Sequence, residues 1–434
     1  MPGPPVASCE PADQSGASVV GWDSAAAADG AATGNPGVLM RPVLTADVEG
    51  LDSASRGRLA GLDVARALAM LGMLVEHTLQ YPALQPKGAL WAVYGRSAPL
   101  FVLLAGAGLG LATRPPLPRL SRAMVAARAP LLLVVGMALS IWVDGVILQS
   151  FALFFLVGLC VLRLPRLALA VLAGTSLVAG PLLLTLLRRG GDLGSFGSRD
   201  DVGFEALLEP LTLVRGLVLE YYPAVFWVGF FFVGMLLGRS RMTAGGAGRR
   251  LFIGASSAAA LLFAIGWAGA RAFGPAPYDF PLAPAPPTTW SGHWTTYGFS
   301  AAVGWTLSST ALALAVVGGS LWVVAAARRL ARLLAPVVAL GAMSLSFYVL
   351  HFVYLDTAWE VVQPHLTTTV TYFGASVAFW IAFALLAQQW LSRVHRGPLE
   401  TVLHAGALVL TWPLRMASRP RSPAGARGSV SAGA

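Results

Sequence analysis

The sequence has little lysine, little cysteine and little charge of either sign. Lys87 is the only lysine among 30 basic residues, so the abundant arginine reflects a general preference for that residue and does not by itself indicate phosphate binding. The two cysteines, Cys9 and Cys160, are too few for a disulfide framework or a cysteine zinc site. Charged residues make up 12% of the chain, whereas soluble domains carry about a quarter. An ordinary soluble domain is therefore excluded.

Long uncharged segments take the place of the missing charge. Hydrophobic residues make up 56% of the 434 residues, and the mean hydropathy is +0.68. The segment 298–324 has no charged residue and exceeds the roughly 20 residues that a helix needs to span a bilayer. We predict an all-α polytopic membrane protein with about ten transmembrane helices. The predicted spans are 59–79, 97–113, 124–143, 145–162, 167–187, 217–238, 251–273, 298–324, 334–355 and 368–391.

The distribution of basic residues predicts the orientation of these spans. Short cytoplasmic loops accumulate lysine and arginine. With both termini in the cytoplasm, and with Arg128 and Arg271 counted with the loops next to them, 22 of the 30 basic residues fall on the inner side and 7 on the outer side, and Arg66 lies within the first span. The net charge of +10 therefore reflects membrane topology and contact with anionic lipid rather than nucleic-acid binding.

The ends of the chain differ in composition from the apolar segments. Residues 1–57 are rich in Ala, Gly, Pro, Ser and Asp, without the basic and apolar regions of a signal peptide, and predict a disordered cytoplasmic tail. Residues 417–434 resemble them. Residues 58–396 form the predicted transmembrane domain. For 397–416 we favour a helix lying in the inner interface, the alternative being an eleventh span over 399–414.

The first predicted span keeps four ionisable residues: Asp63, Arg66, Glu76 and His77. At about 100° per residue, the first two and His77 fall within roughly 40° of one another, on a stripe about 21 Å long. Glu76 points about a quarter turn away. Asp63 and Arg66 are placed near the inner surface, where they either pair with each other or with a neighbouring helix, or meet an anionic ligand. His77 is placed near the outer surface, where it is either satisfied by a neighbour or chemically active.

A second histidine is predicted to reach the same level. Ser344, Tyr348 and His351 are spaced four and three residues apart, so they share one face of the ninth predicted span. That span runs outward, which places His351 near its outer end. We therefore expect His77 and His351 to converge. A histidine beside a hydroxyl or a carboxylate is suited to act as a general base.

Other polar residues are predicted at the same outer level. Arg96 and Ser97 precede the second span, and Glu220 lies close to the start of the sixth. We include these three residues, together with Asp63, Arg66 and Ser344, among the candidate donor- or substrate-binding residues. His77, His351 and Tyr348 are the candidate catalytic residues, and no metal site is predicted.

Small residues suggest where helices approach each other closely. The motif GAGLG at 106–110 resembles a phosphate loop, but it lies within an apolar span with no preceding strand. Close packing of helices explains the motif more simply, and the same interpretation applies to Gly234 and Gly238. These small residues could also let a thin pantetheine arm pass between helices.

Four motifs stand out in the sequence: RLAGLDVARALAMLGMLVEH, GRSAPLFVLLAGAGLGL, GAMSLSFYVLH and RGPLE. Together they resemble bacterial heparan-α-glucosaminide N-acetyltransferase-like membrane proteins, including relatives with a C-terminal domain of unassigned function. The resemblance covers 59–113 most clearly and 341–400 to a lesser extent. A more distant resemblance is to integral-membrane O-acetyltransferases, whose first helix ends in a histidine, as this one does at His77.

The resemblance implies an acyltransferase of a bacterial cell membrane. It would take an acyl group from acetyl-CoA or another acyl-CoA on the cytoplasmic side and pass it to a glycan or glycolipid acceptor on the other side. The lipid bilayer is a further partner, and the protein is either a monomer or a homodimer.

Three positions depart from the family pattern. Ala67 follows the arginine where glycine is usual, and Ala342 replaces a frequent basic residue. Gly88 stands where the heparan enzyme has a histidine held to be catalytic. Either His77 takes over that role, as the O-acetyltransferase comparison implies, or this branch has another activity.

Two other classes of function fit a chain of this composition. A secondary transporter or lipid flippase would also have about ten spans and buried charges, but such proteins usually show repeated halves or broken helices, and the sequence has no clear internal repeat. A non-catalytic membrane scaffold is the other alternative, although it gives no reason for histidines on two helices to converge.

Overall fold

The computed structural model describes residues 53–78, 94–113, 119–191, 202–240, 246–274, 287–296, 300–326, 331–366 and 368–417. Throughout these residues the regular structure is helical, as the uncharged runs predicted. The predicted terminal tails lie almost wholly outside the described residues.

Fifteen α-helices are described, and we number them in chain order. The first eight are α1 (Ser53–Thr78), α2 (Ser97–Ala112), α3 (Arg119–Leu139), α4 (Leu148–Cys160), α5 (Arg166–Gly190), α6 (Pro210–Arg215), α7 (Ala224–Arg239) and α8 (Ala247–Phe273). The other seven are α9 (Val303–Ala326), α10 (Ala331–Ala342), α11 (Ser344–Asp356), α12 (Ala358–Val362), α13 (Thr369–Leu391), α14 (Pro398–Leu410) and α15 (Trp412–Ala417).

Every predicted span contains helix, but the helices differ in length. Within the described residues, five are long and apolar enough to cross a membrane, in α3, α5, α8, α9 and α13. The number is seven if each of two bent helix pairs is counted as one span. Helix α1 has 26 residues but contains Asp63, Arg66 and Glu76, and α2, α4 and α14 are shorter apolar helices. The number of ten and the orientation of the spans remain predictions.

The ninth predicted span is not one straight helix. Helices α10 and α11 meet at Met343 with an angle of 86° between them. The sixth predicted span is also bent, by 63°, between the segment Pro210–Glu220 and α7. Its first part includes a π-helical turn at Gly216–Glu220, and Pro223 precedes α7. These bends were not visible in hydropathy, because apolar composition continues through both.

Helix α1 has neighbours on several sides. It packs against α2, α9, α10, α11 and α13. The indole Nε1 of Trp380 on α13 donates to the carbonyl oxygen of Ala67 at 2.8 Å. Gly341, at the end of α10, lies directly against the backbone of Asp63. The ionisable residues of α1 therefore face other helices.

Glycines hold α2 and α7 in close contact, which confirms the packing interpretation of both small-residue motifs. Gly106 and Gly110 of α2 lie against the backbone of α7, and Gly234 and Gly238 of α7 lie against the backbone of α2. A Cβ atom at Gly238 would be 2.9 Å from Cα of Gly110. The helix face that bears Gly106 and Gly110 is therefore filled by α7 and offers no passage for a pantetheine arm.

A histidine outside the spans connects three parts of the fold. His293 lies in the 3-10 turn Trp290–Trp294 between α8 and α9. Its Nδ1 accepts a hydrogen bond from the backbone N–H of Val303 at 3.3 Å, and its Nε2 lies 3.0 Å from Oγ1 of Thr185 on α5. Because Nδ1 is an acceptor, the ring is neutral and carries its proton on Nε2. Burial lowers the pKa of His293 to about 4, which favours this neutral form.

Candidate functional site

The two predicted histidines lie next to each other. The rings of His77 on α1 and His351 on α11 have centroids 5.5 Å apart. Phe352 lies against both rings, at 5.1 Å from His77 and 4.1 Å from His351. His77 is partly exposed, whereas His351 is fully buried. This histidine pair therefore has one accessible member and one enclosed member.

His351 is buried without a hydrogen-bonded partner among the described residues. Neither Nδ1 nor Nε2 makes such a bond. Its neighbours are aromatic: Phe347 stacks on it at 6.0 Å, and the Tyr348 ring lies 5.3 Å away at a steep angle. Leaving a buried polar atom unpaired costs about 1–3 kcal/mol. The imidazole is therefore suited to bond a group that enters beside His77.

Tyr348 is held at the beginning of another helix. Its hydroxyl oxygen accepts a hydrogen bond at 3.1 Å from the backbone N–H of Ile147, the residue that caps α4. A phenol that accepts from a backbone N–H still has its own hydrogen to donate. The partial positive charge at a helix N-terminus also strengthens that donor. Phe101 of α2 stacks parallel to the Tyr348 ring at 6.3 Å.

Glu76 has a structural partner that its position on α1 did not reveal. Its Oε1 accepts hydrogen bonds from Oγ of Ser97 at 2.9 Å and from the backbone N–H of Ser97 at 3.3 Å. Ser97 is the first residue of α2, and Gly72 of α1 lies directly against its side chain. The carboxylate thus satisfies the N-terminus of α2 and fixes that helix to α1 one residue before His77.

Arg96 contacts protein groups and is enclosed by them. Its guanidinium donates to the carbonyl of Trp305 and to Oγ of Ser308, both at 2.9 Å, and also bonds Ser309 and the carbonyl of Thr296. The side chain is buried and lies 5.4 Å from the Trp305 ring. These contacts give Arg96 a positioning role, joining the start of α2 to α9.

Asp63 and Arg66 form an ion pair at the other end of α1, which was one of the predicted alternatives. Both side chains remain partly exposed, at 16% and 25%. Gly108 of α2 faces Arg66, since a Cβ atom at Gly108 would lie 3.6 Å from Nη2 of Arg66. We call this level of the bundle the Arg66 end and the opposite level the His77 end.

A partly exposed strip on α2 runs between the two ends. Phe101, Ala105 and Gly108 are each only partly buried, and their spacing of four and three residues places them on one face. Gly108 faces Arg66, and Phe101 stacks on Tyr348 beside the histidine pair. The strip is about 10 Å long at 1.5 Å per residue. This face, and not the face of Gly106 and Gly110, connects the Arg66 end to the histidines.

Glu220 and Ser344 are the two remaining candidate residues. Glu220 is buried and accepts a hydrogen bond from Nε of Arg215 at 2.8 Å. Ser344 is the first residue of α11, about 10 Å along that helix from His351. The three residues of the predicted face, Ser344, Tyr348 and His351, lie on one helix, with Ser344 at its start and His351 about two turns further along.

Glu400 is a residue that the sequence reasoning missed, although it closes the motif RGPLE. Its carboxylate accepts hydrogen bonds from the backbone N–H groups of Leu345 and Ser346, at 2.8 and 3.2 Å, and from Oγ of Ser346 at 2.5 Å. It thereby satisfies the N-terminus of α11, the helix that carries His351. The acidic residue of this motif was the one sequence signal for this contact. Its bonding partners lie more than 50 residues away in the chain, so the sequence did not reveal them.

Comparison with known families divides the helical region in two. Residues 58–272 match the family described as heparan-alpha-glucosaminide N-acetyltransferase, catalytic. Residues 282–409 match a family of unknown function, DUF418. The predicted family resemblance is confirmed. No curated protein and no solved structure matches the chain.

The histidine pair joins these two matched regions. His77 belongs to the acetyltransferase-like region, and His351 and Tyr348 belong to the DUF418 region. Glu400 of the DUF418 region holds the N-terminus of α11, and Glu76 of the acetyltransferase-like region holds that of α2. The DUF418 region therefore supplies part of the candidate active site.

Proposed function

We propose that this protein is a membrane acyltransferase that moves an acetyl or other acyl group from acyl-CoA to a hydroxyl or amine of an extracytoplasmic glycan or glycolipid. The observation that carries the proposal is the histidine pair, because His77 lies at the end of α1 in a region that matches an acetyltransferase catalytic family. The family name suggests an amino sugar as the acceptor.

In this proposal His77 is the general base. It is the accessible member of the pair, so an acceptor can approach its ring. The acceptor oxygen or nitrogen attacks the thioester carbonyl carbon while the His77 imidazole takes the acceptor's proton. The carbon–sulfur bond then breaks, and the imidazolium returns the proton to the sulfur of coenzyme A.

Tyr348 is the proposed donor to the oxyanion that forms during this attack. Its oxygen accepts from the Ile147 backbone, which leaves its own hydrogen available beside the histidine pair. Removing one donor of this kind typically slows the chemical step by about 10²–10³-fold. His351 would bond a polar group of the bound acceptor, since both of its ring nitrogens are buried without a partner among the described residues.

The donor is proposed to bind with its phosphates near the Arg66 end. Its pantetheine arm would lie along the strip of Phe101, Ala105 and Gly108 and bring the thioester toward His77, about 16 Å from Arg66 along α1. The strip supports this path because it is the partly exposed face of α2 between the two ends. Small side chains at Ala105 and Gly108 suit a narrow chain.

The deciding experiment separates donor binding from transfer. Full-length protein in lipid nanodiscs is titrated calorimetrically with acetyl-CoA, coenzyme A and a longer acyl-CoA. Release of the free thiol of coenzyme A is then followed with a glucosamine-terminated oligosaccharide as the acceptor probe. We expect His77→Ala to bind acetyl-CoA like the wild type and to lose about 10²–10⁴-fold in transfer rate. Arg66→Ala should bind acetyl-CoA more weakly than the wild type does.

Two further variants test the assigned roles. Tyr348→Phe keeps the ring stacked on Phe101 but removes the hydroxyl, so kcat should fall with little change in KM. His365→Gln, at an exposed histidine far along the chain, is the matched control and should retain activity. Absence of acyl-CoA binding by folded wild-type protein would contradict the proposal, as would full activity of His77→Ala.

A transporter or flippase is the second candidate, and the two bent helix pairs favour it. Transporters often use broken helices whose exposed backbone groups bind the cargo, and the bends here are 63° and 86°. However, Glu400 already occupies the N-terminus of α11 at the sharper bend. Glycolipid movement in proteoliposomes without acyl-CoA, retained by His77→Ala, would favour this candidate over the acyltransferase.

A further inference from the structure

A group of basic side chains lies between α3 and α14, away from the histidine pair. The packing there is close: a Cβ atom at Gly406 of α14 would be 2.8 Å from the Leu131 side chain of α3. The Thr411 hydroxyl lies 3.2 Å from the Met124 sulfur. Glu400 lies one turn before His404 on α14 and bonds the start of α11. Just before that start, Gly341 lies against Asp63, the partner of Arg66. These contacts place the N-terminal part of α14 toward the Arg66 end.

Arg128 and His404 are in direct contact across this interface. Nη2 of Arg128 lies 3.4 Å from Nδ1 of His404. A guanidinium can only donate, so Nδ1 must accept and the second ring nitrogen of His404 carries a hydrogen. Both residues therefore present donors and no acceptor to a third group.

Two more arginines add positive charge to this place. The charge of Arg396 acts on both Arg128 and His404, and the charge of Arg415 also acts on His404. All four side chains are partly buried. We call them the Arg128 cluster: Arg128, Arg396, His404 and Arg415.

The neighbouring segments hold almost no compensating negative charge. Helix α3 has no acidic residue, and residues 361–434 contain only Glu400. That carboxylate is already bonded to the N-terminus of α11. Within the described residues, no carboxylate lies at ion-pair distance from Arg128 or Arg396.

Arg128 is unusual because it lies in an apolar helix long enough to cross a membrane. It lies in the apolar segment Arg122–Leu139, six residues from the start. An arginine within a membrane-spanning helix is unfavourable unless a partner compensates its charge. Repulsion from Arg396 adds to that cost. An external anion would remove both penalties.

We propose that the Arg128 cluster is a binding site for a phosphate-bearing ligand. Planar guanidinium groups bond phosphate oxygens in pairs, and the second nitrogen of His404 provides a further donor. The site joins α3 of the acetyltransferase-like region to α14 of the DUF418 region. The phosphate belongs either to an anionic lipid headgroup or to a soluble molecule such as coenzyme A.

The test measures stabilisation of the full-length protein in nanodiscs. One arm compares nanodiscs of phosphatidylglycerol with nanodiscs of phosphatidylcholine, and the other adds coenzyme A to the phosphatidylcholine sample. Variants are Arg128→Gln, Arg396→Gln and the control Arg122→Gln, which lies on α3 about 120° around the helix from Arg128. Each cluster variant should weaken binding about fivefold, the expected contribution of one arginine to an anionic lipid.

The change in melting temperature distinguishes the two sources of phosphate. A rise in melting temperature with phosphatidylglycerol that is smaller in both cluster variants and unchanged in Arg122→Gln supports a lipid site. The same pattern with coenzyme A supports a soluble phosphate. If neither anion stabilises the protein, or if Arg122→Gln reduces the effect equally, the proposal is overturned. Arg396 lies outside the helices, so its variant remains informative if Arg128→Gln does not fold.

Discussion

Replacing Gly234 of α7 by alanine tests the contact that positions the α2 strip. A Cβ atom at this position would overlap the carbonyl oxygen of Leu103 and lie 2.8 Å from the backbone nitrogen of Ala107. Both obstacles are backbone atoms of α2, so a side-chain rotation cannot remove the clash. Relaxing the second contact to an ordinary distance of about 3.5 Å requires a shift of roughly 0.7 Å, and the overlap with Leu103 requires more.

The expected cost follows from that displacement. Overpacking a tight contact typically destabilises by about 1–3 kcal/mol, which should lower the melting temperature of Gly234→Ala by several degrees. Because α2 carries Phe101 and Ser97, the same shift should reduce acyl transfer more than it reduces the amount of folded protein.

The matched control is Gly254→Ala on α8. A Cβ atom there would meet no atom within 4 Å, and alanine is favoured over glycine in a helix by about 1 kcal/mol. Thermal unfolding of the two purified variants in the same detergent measures the difference. Equal or greater stability of Gly234→Ala would refute the close contact between α2 and α7.

Three further predictions address topology, pH and helix capping. A reporter fused after residue 391 should behave as cytoplasmic and one inserted near residue 285 as external; exchanged signals would reverse the orientation. The pKa of His293, about 4 when folded against about 6.5 unfolded, means that its contribution to stability is complete above pH 6.5 and is lost as the pH falls toward 4. The melting temperature of His293→Gln should therefore fall less over that range than that of His365→Gln, and identical profiles would contradict this. Glu400→Ala should lower the free energy of unfolding by about 1–3 kcal/mol, because the backbone N–H groups at the start of α11 lose their acceptor. Glu400→Gln should lower it less. Equal thermal stability of both variants and the wild type would argue against the cap.

The sequence alone determined the features that depend on local pattern. Uncharged runs long enough to span a bilayer predicted the helices, because backbone groups in lipid must be satisfied within the segment itself. The small residues at 106–110 and at Gly234 and Gly238 predicted close helix contacts. The histidines at the ends of two predicted spans indicated that His77 and His351 would meet, since both spans were placed at the same level.

Only the tertiary structure decided which partner each polar residue has. Glu76 was placed a quarter turn from the histidine stripe, yet it bonds the N-terminus of α2. Arg96 was a candidate ligand-binding residue, but its guanidinium donates hydrogen bonds to α9 and to the segment preceding it. The bend at Met343 and the cap by Glu400 depend on packing between segments far apart in the chain. Helical periodicity fixes the direction of a side chain around its own axis, whereas its partner depends on how distant helices are placed around it.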